Sequence, residues 1–227
     1  MKRDSLLIGC ALGALSTVFL TALAVGLLLS GHWFYSLEID TLNIEGASGL
    51  SKEAILENYD AVISFLSPFS REPFSMPGLA ASAGGINHFN DVKAIVNGLY
   101  AAGLTALAGI ALLAVLCKNR IGKRCLLAAS ITSFALPAAA GGGIALDFDG
   151  FFVLFHKLFF TNDDWLFDYV TDPVINILPA RYFMHCGIII AAFWVLGGVL
   201  FFCLFRLARR NGRQRTNARP VKYKTQI

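Results

Sequence analysis

Four long apolar runs organise this chain. Leu6 to Ser30 gives 25 positions without a charge, and Val96 to Cys117 and Cys125 to Leu146 give 22 each. Met184 to Phe205 is a fourth run, interrupted only by His185 near its start. A helix needs about 20 apolar residues to cross a bilayer, so the pattern predicts an all-α membrane protein with spans over about 6–30, 96–117, 125–146 and 184–205. Gly, Ala and Thr recur within the spans, which lets helices approach closely. Pro137 and the run Gly141, Gly142, Gly143 predict a kink or a loosened stretch in the third span.

Polar positions return in two stretches, 31–95 and 147–183, which form a small cap. The first opens with Trp33 and Tyr35, residues at home in a membrane interface. "SLEIDTLNI" then alternates roughly as a strand does. "SKEAILENYDAVISFL" reads as a helix, with Ser51 as its cap and Ala54, Ile55, Asn58, Val62 and Phe65 at three-to-four spacing. "SPFSREPFSMPG" has too many prolines for a regular helix and is expected to lie over the membrane surface. Gly84 and Gly85 then break the chain, and Asn87 or Asn90 is the expected cap of the next helix. That places His88 at or just before a helix amino end. The second stretch delivers His156 at comparable depth.

Composition supports a membrane protein. Hydrophobic residues make up 56% of the 227 and charged residues only 15%, well below the ~25% usual for a soluble domain. Charge sets the orientation. Of 19 basic residues, 14 lie at the amino end, in the 118–124 loop and in the 206–227 tail, and of 15 acidic residues only Asp4 joins them. The positive-inside rule then puts both termini in the cytoplasm and the cap outside. The basic tail fits a topology signal and anionic-lipid contact better than a nucleic-acid site. The first span is too long in its apolar core for a secretory signal. "LIGC" (Leu7 to Cys10) has too few apolar residues before it for a lipoprotein cleavage box. The chain is therefore expected to be uncleaved, as a single membrane domain. All five cysteines lie in spans or at their ends, and no CxxC occurs, so neither a disulfide framework nor a cysteine zinc site is indicated.

Chemistry points to four histidines at the outer interface. His32, beside Trp33 and Phe34, and His185, at the start of the last span, fit interfacial anchors. His88 and His156 admit two readings: packing histidines, or an acid–base pair able to work near pH 7. Asp91, three residues after His88, shares its helix face and is placed to receive a ring N–H. Phe152, Phe159 and Phe160 surround His156 at helical spacing and favour its neutral form. His88, Asp91 and His156 would also supply three ligands to zinc, but no HExxH is present. Cys186 is the one cysteine near the outer end of a span, yet its neighbour His185 cannot face it, and no GxSxG elbow exists. Asp163, Asp164 and Asp168 read as solvated. Asn162, Trp165, Asp172, Asn176 and Pro179 would shape the loop that holds His156, with Asp172 before Pro173 as a turn signal.

"NHFNDVK" (Asn87 to Lys93) and "FHKLFFTNDDWLFDYVTDPVINILPARYF" (Phe155 to Phe183) resemble the two signature regions of the lipoprotein intramolecular transacylases, four-span bacterial membrane proteins called Lit. The hydropathy profile is similar along most of the chain. The resemblance implies an acyltransferase of the bacterial cell membrane. Its partners would be membrane lipids and a lipoprotein whose N-terminal cysteine carries a diacylglyceryl thioether. It would move the sn-2 acyl chain to that cysteine's own α-amino group, giving the lyso form. His88 and His156 would be its acid–base residues, with no cofactor and no metal. Asn87, Asp91, Asn162, Trp165 and Asp172 would support them. Attack by the amine closes an eight-membered ring through N, Cα, Cβ, S, two glyceryl carbons, the ester oxygen and the acyl carbon. The reactants are tethered, so positioning and proton transfer should suffice without a covalent acyl-enzyme. Another lipid acyltransferase, a metal-dependent hydrolase or a non-catalytic membrane partner remain open on the residues alone.

Overall fold

The computed structural model describes residues 2–217, and all regular elements among them are helices. In chain order these are α1 (Lys2–Leu28), α2 (Tyr35–Thr41), α3 (Ile44–Ser48), α4 (Lys52–Leu66), α5 (Ala83–Leu116), α6 (Lys123–Leu146), α7 (Phe148–Phe159), α8 (Val174–Ile177) and α9 (Ala180–Asn217). Four of them, α1, α5, α6 and α9, are long and apolar enough to cross a membrane. The tail beyond Asn217, with Arg219, Lys222 and Lys224, lies outside the described residues.

The bundle is held by small residues. α6 packs against α9 and α1, and α1 packs against α5 and α9. Gly9 and Gly13 on α1 lie one turn apart against α6. A Cβ on Gly13 would meet the Ala129 carbonyl oxygen at 2.7 Å, and one on Gly9 would run into the Cys125 carbonyl. Close approach of two backbones is what a small-xxx-small pair permits in lipid. Large apolar side chains such as Leu104, Leu116, Ile131 and Leu196 point outward, as a surface bathed in hydrocarbon requires. α6 runs through Pro137 and the three glycines as one helix.

The cap is packed on a different principle. Tyr35, Ile39, Ile44, Ile55, Tyr59, Val62, Phe65, Phe74, Phe89, Val174, Ile177 and Tyr182 form one buried cluster that joins α2, α3, α4 and α8 to the outer ends of α5 and α9. Tyr35 stacks on Tyr59 with ring centroids 3.9 Å apart. Both hydroxyls are satisfied, Tyr35 donating to the Ile177 carbonyl at 2.5 Å and Tyr59 meeting the Tyr182 hydroxyl at 2.8 Å.

Two local expectations are corrected. "SLEIDTLNI" is not a strand: it forms α2 and α3, separated at Asn43, whose φ of 50° turns the chain. Tyr35, Glu38 and Ile39 share the inward face of α2, and the alternation misleads because Glu38 is buried rather than solvated. Its carboxylate is satisfied by His185, 2.6 Å away. The cap of α5 is Ser82, not Asn87 or Asn90, and its hydroxyl accepts from the Gly85 N–H at 3.0 Å. Gly84 and Gly85 therefore lie inside the first turn. The glycine at 85 leaves room for Asp172, whose carboxylate would collide with a Cβ there. The α4 reading holds: Ser51 accepts from the Ala54 N–H, and Ile55, Asn58, Val62 and Phe65 are buried.

Candidate active site

α5 has 34 residues and is about 51 Å long, whereas the hydrocarbon core needs only about 30 Å. The stretch before Val96 therefore stands above the apolar band. His88 lies in its second turn rather than at its end, so the helix dipole acts on it weakly. α7 starts directly after α6, where Asp147 caps it by accepting from the Gly150 N–H. Its inner face presents His156. The two imidazoles meet with ring centroids 6.0 Å apart, and both side chains are buried.

Three hydrogen bonds clasp the two stretches that carry them. Asp172 accepts from the Ser82 backbone N–H at 2.8 Å, tying the 160–173 loop to the start of α5. Asn87 donates its amide to Asp164. Asn162 donates to Asp91 at 2.9 Å, and its own oxygen accepts from the Asp164 N–H. Asp91 thus orients the loop and is not bonded to the His88 ring, contrary to its expected use. Asp164 is likewise engaged, not solvated. Asp168 accepts from the Val170 and Thr171 N–H groups and closes the next turn. Thr171 donates to Asp172, which is buried.

Aromatic rings fill the rest. Phe160 touches both imidazoles, 4.7 Å from His88 and 5.5 Å from His156 by centroids. Phe167 meets His88 edge-on at 5.3 Å. His156 is flanked by Phe152, Phe155 and Trp165. Phe159, expected to line it, points away and is half-exposed. Phe167 and the role of Ser82 were not foreseen, because a loop aromatic and a distant capping serine carry no spacing signal. Asn176 and Pro179 form no part of the clasp.

Electrostatics follow from this packing. Burial pulls the pKa of His156 below its ordinary value, only partly opposed by its bond to the Phe152 carbonyl. Burial and then the neighbouring His156 push His88 down to about 4. Both rings rest neutral at pH 7. A carbonyl can only accept, so the 2.8 Å contact from His156 Nδ1 to the Phe152 oxygen places the proton on Nδ1. The lone pair then resides on Nε2, the arrangement of a general base. His88 Nδ1 is buried without a partner.

The other two histidines are held differently. His32 pairs with Asp60 at 2.9 Å, and His185 with Glu38 at 2.6 Å. Cys186 packs against the cap core, while its neighbour His185 is turned to Glu38. Among the described residues, no three His, Cys, Asp or Glu side chains are grouped to hold a metal ion.

Comparison with known proteins agrees with this architecture. The profile of the family described as lipoprotein intramolecular transacylase Lit matches residues 10–183. The membrane-integral lipoprotein intramolecular transacylase Lit from Bacillus cereus superposes with a TM-score of 0.85 at 33% identity, covering 94% of this chain and 100% of that one. A variant of it with a histidine replaced by arginine gives 0.79 at 34% identity over 95% of each chain, and one with alanine gives 0.80 at 33% over 93% and 96%. No curated protein sequence matches. With four membrane-capable helices, a shared fold at one-third identity and a family match over most of its length, the chain belongs to the lipoprotein intramolecular transacylases, a family of membrane acyltransferases.

Proposed function

We propose that this protein transfers the sn-2 acyl chain of a diacylglyceryl-cysteine lipoprotein to that cysteine's own α-amino group, with His156 as general base and His88 as hydrogen-bond donor. One observation carries the reading: two neutral imidazoles face each other in an aromatic enclosure, one with its free lone pair defined. The free amine attacks the ester carbonyl carbon while His156 Nε2 takes a proton from the nitrogen. The carbonyl oxygen gains negative charge, and the neutral His88 ring donates a hydrogen bond to it. The bond between the acyl carbon and the ester oxygen on glyceryl C2 then breaks. The His156 imidazolium returns its proton to that oxygen, leaving an amide and a free hydroxyl. The base is regenerated and nothing else is consumed. Phe160, Phe167 and Trp165 keep water from the ester.

The site faces outward in this reading, with both termini cytoplasmic. Lys118, Arg120, Lys123, Arg124, Arg206, Arg209 and Arg210 all lie at the end of the bundle opposite the cap, as the positive-inside rule asks of the cytoplasmic face. The substrate's acyl chains then lie in the outer leaflet, and its amine and ester sit at the depth of His156.

A crossover experiment tests this. Two diacylglyceryl lipopeptides, one with perdeuterated acyl chains, are mixed with the purified protein and a chelator, and the products are read by mass spectrometry. Each N-acyl lyso product should carry only its own isotope. Mixed labels, release of free fatty acid, or dependence on added zinc would contradict the mechanism.

A further inference from the structure

Accepting a proton makes the general base a cation. His32 and His185 each have a carboxylate beside the ring; His156 has only the Phe152 carbonyl on its far nitrogen. Around its ring stand aromatic faces instead. Phe152 lies at 4.2 Å between centroids, Trp165 at 4.7 Å and Phe160 at 5.5 Å. Trp165 and Phe160 are stacked on it, with interplanar angles of 28° and 22°. A cation within about 6 Å of a ring face is attracted by the ring quadrupole, most strongly by indole.

Trp165 differs from the chain's other tryptophans. Trp33 donates its N–H to the Leu27 carbonyl at 3.1 Å, and Trp194 donates to the Thr21 hydroxyl at 2.9 Å. The Trp165 N–H is buried without a partner. An unpaired buried donor is a cost that phenylalanine would not carry. What indole offers here in return is its face.

We propose that Trp165 is a positioning residue whose indole face stabilises the His156 imidazolium formed during acyl transfer, with Phe160 as the second face of an aromatic cage. The inference rests on His156 being the base. Trp165 neither gives nor takes a proton: the amine proton moves to His156 Nε2 and then to the glyceryl oxygen, and the cage acts only while the ring is charged. Desolvation keeps the resting base neutral, and the ring faces offset part of that penalty once charge appears. The other titratable groups near the pair are His88 across the gap, and Asp91 and Asp164, held by Asn162 and Asn87.

The test is a series of fluorinated tryptophans placed at position 165 alone by suppressor incorporation, in the full-length protein in nanodiscs. Fluorine drains the ring quadrupole with little change in shape. The cage predicts that log kcat/KM falls stepwise with fluorine number, by roughly 2- to 30-fold over the series. It also predicts that the acidic limb of the pH profile moves to lower pH by roughly 0.4 to 1.5, because the charged base loses stabilisation. A flat series, or a loss with no trend and an unmoved acidic limb, would mean that Trp165 only packs. His156→Gln separates the two readings: a flat series with an inactive His156→Gln overturns the cage alone. A His156→Gln at wild-type activity overturns the base assignment and the cage with it.

Discussion

The four histidines form two contrasting environments within about the same layer of the molecule. His32 and His185 each meet a carboxylate, Asp60 and Glu38. His88 and His156 meet aromatic rings and each other. A carboxylate hydrogen-bonded to imidazole fixes the ring, whereas an apolar surround favours the neutral form and leaves a lone pair free. The pairs are therefore suited to different work. The carboxylate-bound histidines lock the cap to itself and to α9. The carboxylate-free ones suit the acid–base chemistry proposed above, and the carboxylates nearby, Asp91, Asp164 and Asp172, are turned to amides, a hydroxyl and backbone N–H groups that hold the loops in place.

The contrast is broken most sharply by removing each ring in turn. His156→Gln should lower acyl transfer by roughly 10²- to 10⁴-fold, since glutamine cannot shuttle a proton, and His88→Ala should lower it by roughly 10²- to 10³-fold, since alanine cannot donate to the oxyanion. His32→Gln and His185→Gln should lose far less. Conversion of a diacylglyceryl lipopeptide by each purified variant measures this, and equal losses in all four would erase the distinction.

Next in size is the clasp. Asp172→Ala leaves the Ser82 N–H without its acceptor, a loss of about 1–3 kcal/mol for a buried group. Thermal unfolding should show it as a lower Tm. Activity should fall with it, because the same bond ties the 160–173 loop, which carries Trp165 and Phe167, to the start of α5. Unchanged activity in a destabilised Asp172→Ala protein would show that the clasp serves the fold alone.

Acid should separate the environments without mutation. His88 and His156 have folded pKa values below their unfolded value of about 6.5. In that window the unfolded chain binds more protons, so stability is full above pH 6.5 and declines as pH falls toward the folded values. His88→Gln should flatten part of this decline between pH 6.5 and about 4. The wild-type slope persisting in a double His88→Gln, His156→Gln protein would place its origin elsewhere.

The smallest effect is expected at the surface. The His32–Asp60 pair is about half exposed on both sides, and such pairs contribute roughly 0.2–1 kcal/mol. Asp60→Asn should therefore shift Tm by little and leave kcat/KM unchanged. A large loss of activity there would contradict the division drawn above.

Much of this was legible in the chain. The four spans and the α4 cap at Ser51 follow from run length and capping chemistry, whereas His156, expected on a loop, stands on α7. What stayed hidden has a common cause. Glu38 reads as solvent-facing until His185, 147 positions away, is brought to it. Asp91 is at the right spacing to hold His88, yet the partner that claims it, Asn162, arrives from another loop. Gly85 reads as a helix breaker because nothing local shows that Asp172 needs the space of its missing side chain. Pairings across the fold decided each of these, and periodicity reports only on neighbours.

The central claim is that His156 waits as a neutral base with its proton on Nδ1. Nitrogen-15 NMR of the labelled imidazoles in nanodiscs, titrated across pH 4 to 8, observes this directly. The account predicts a His156 signal with protonated Nδ1 and unprotonated Nε2 at pH 7, and protonation only below pH 6.5. A His156 ring that is doubly protonated at pH 7, or that carries its proton on Nε2, would contradict it.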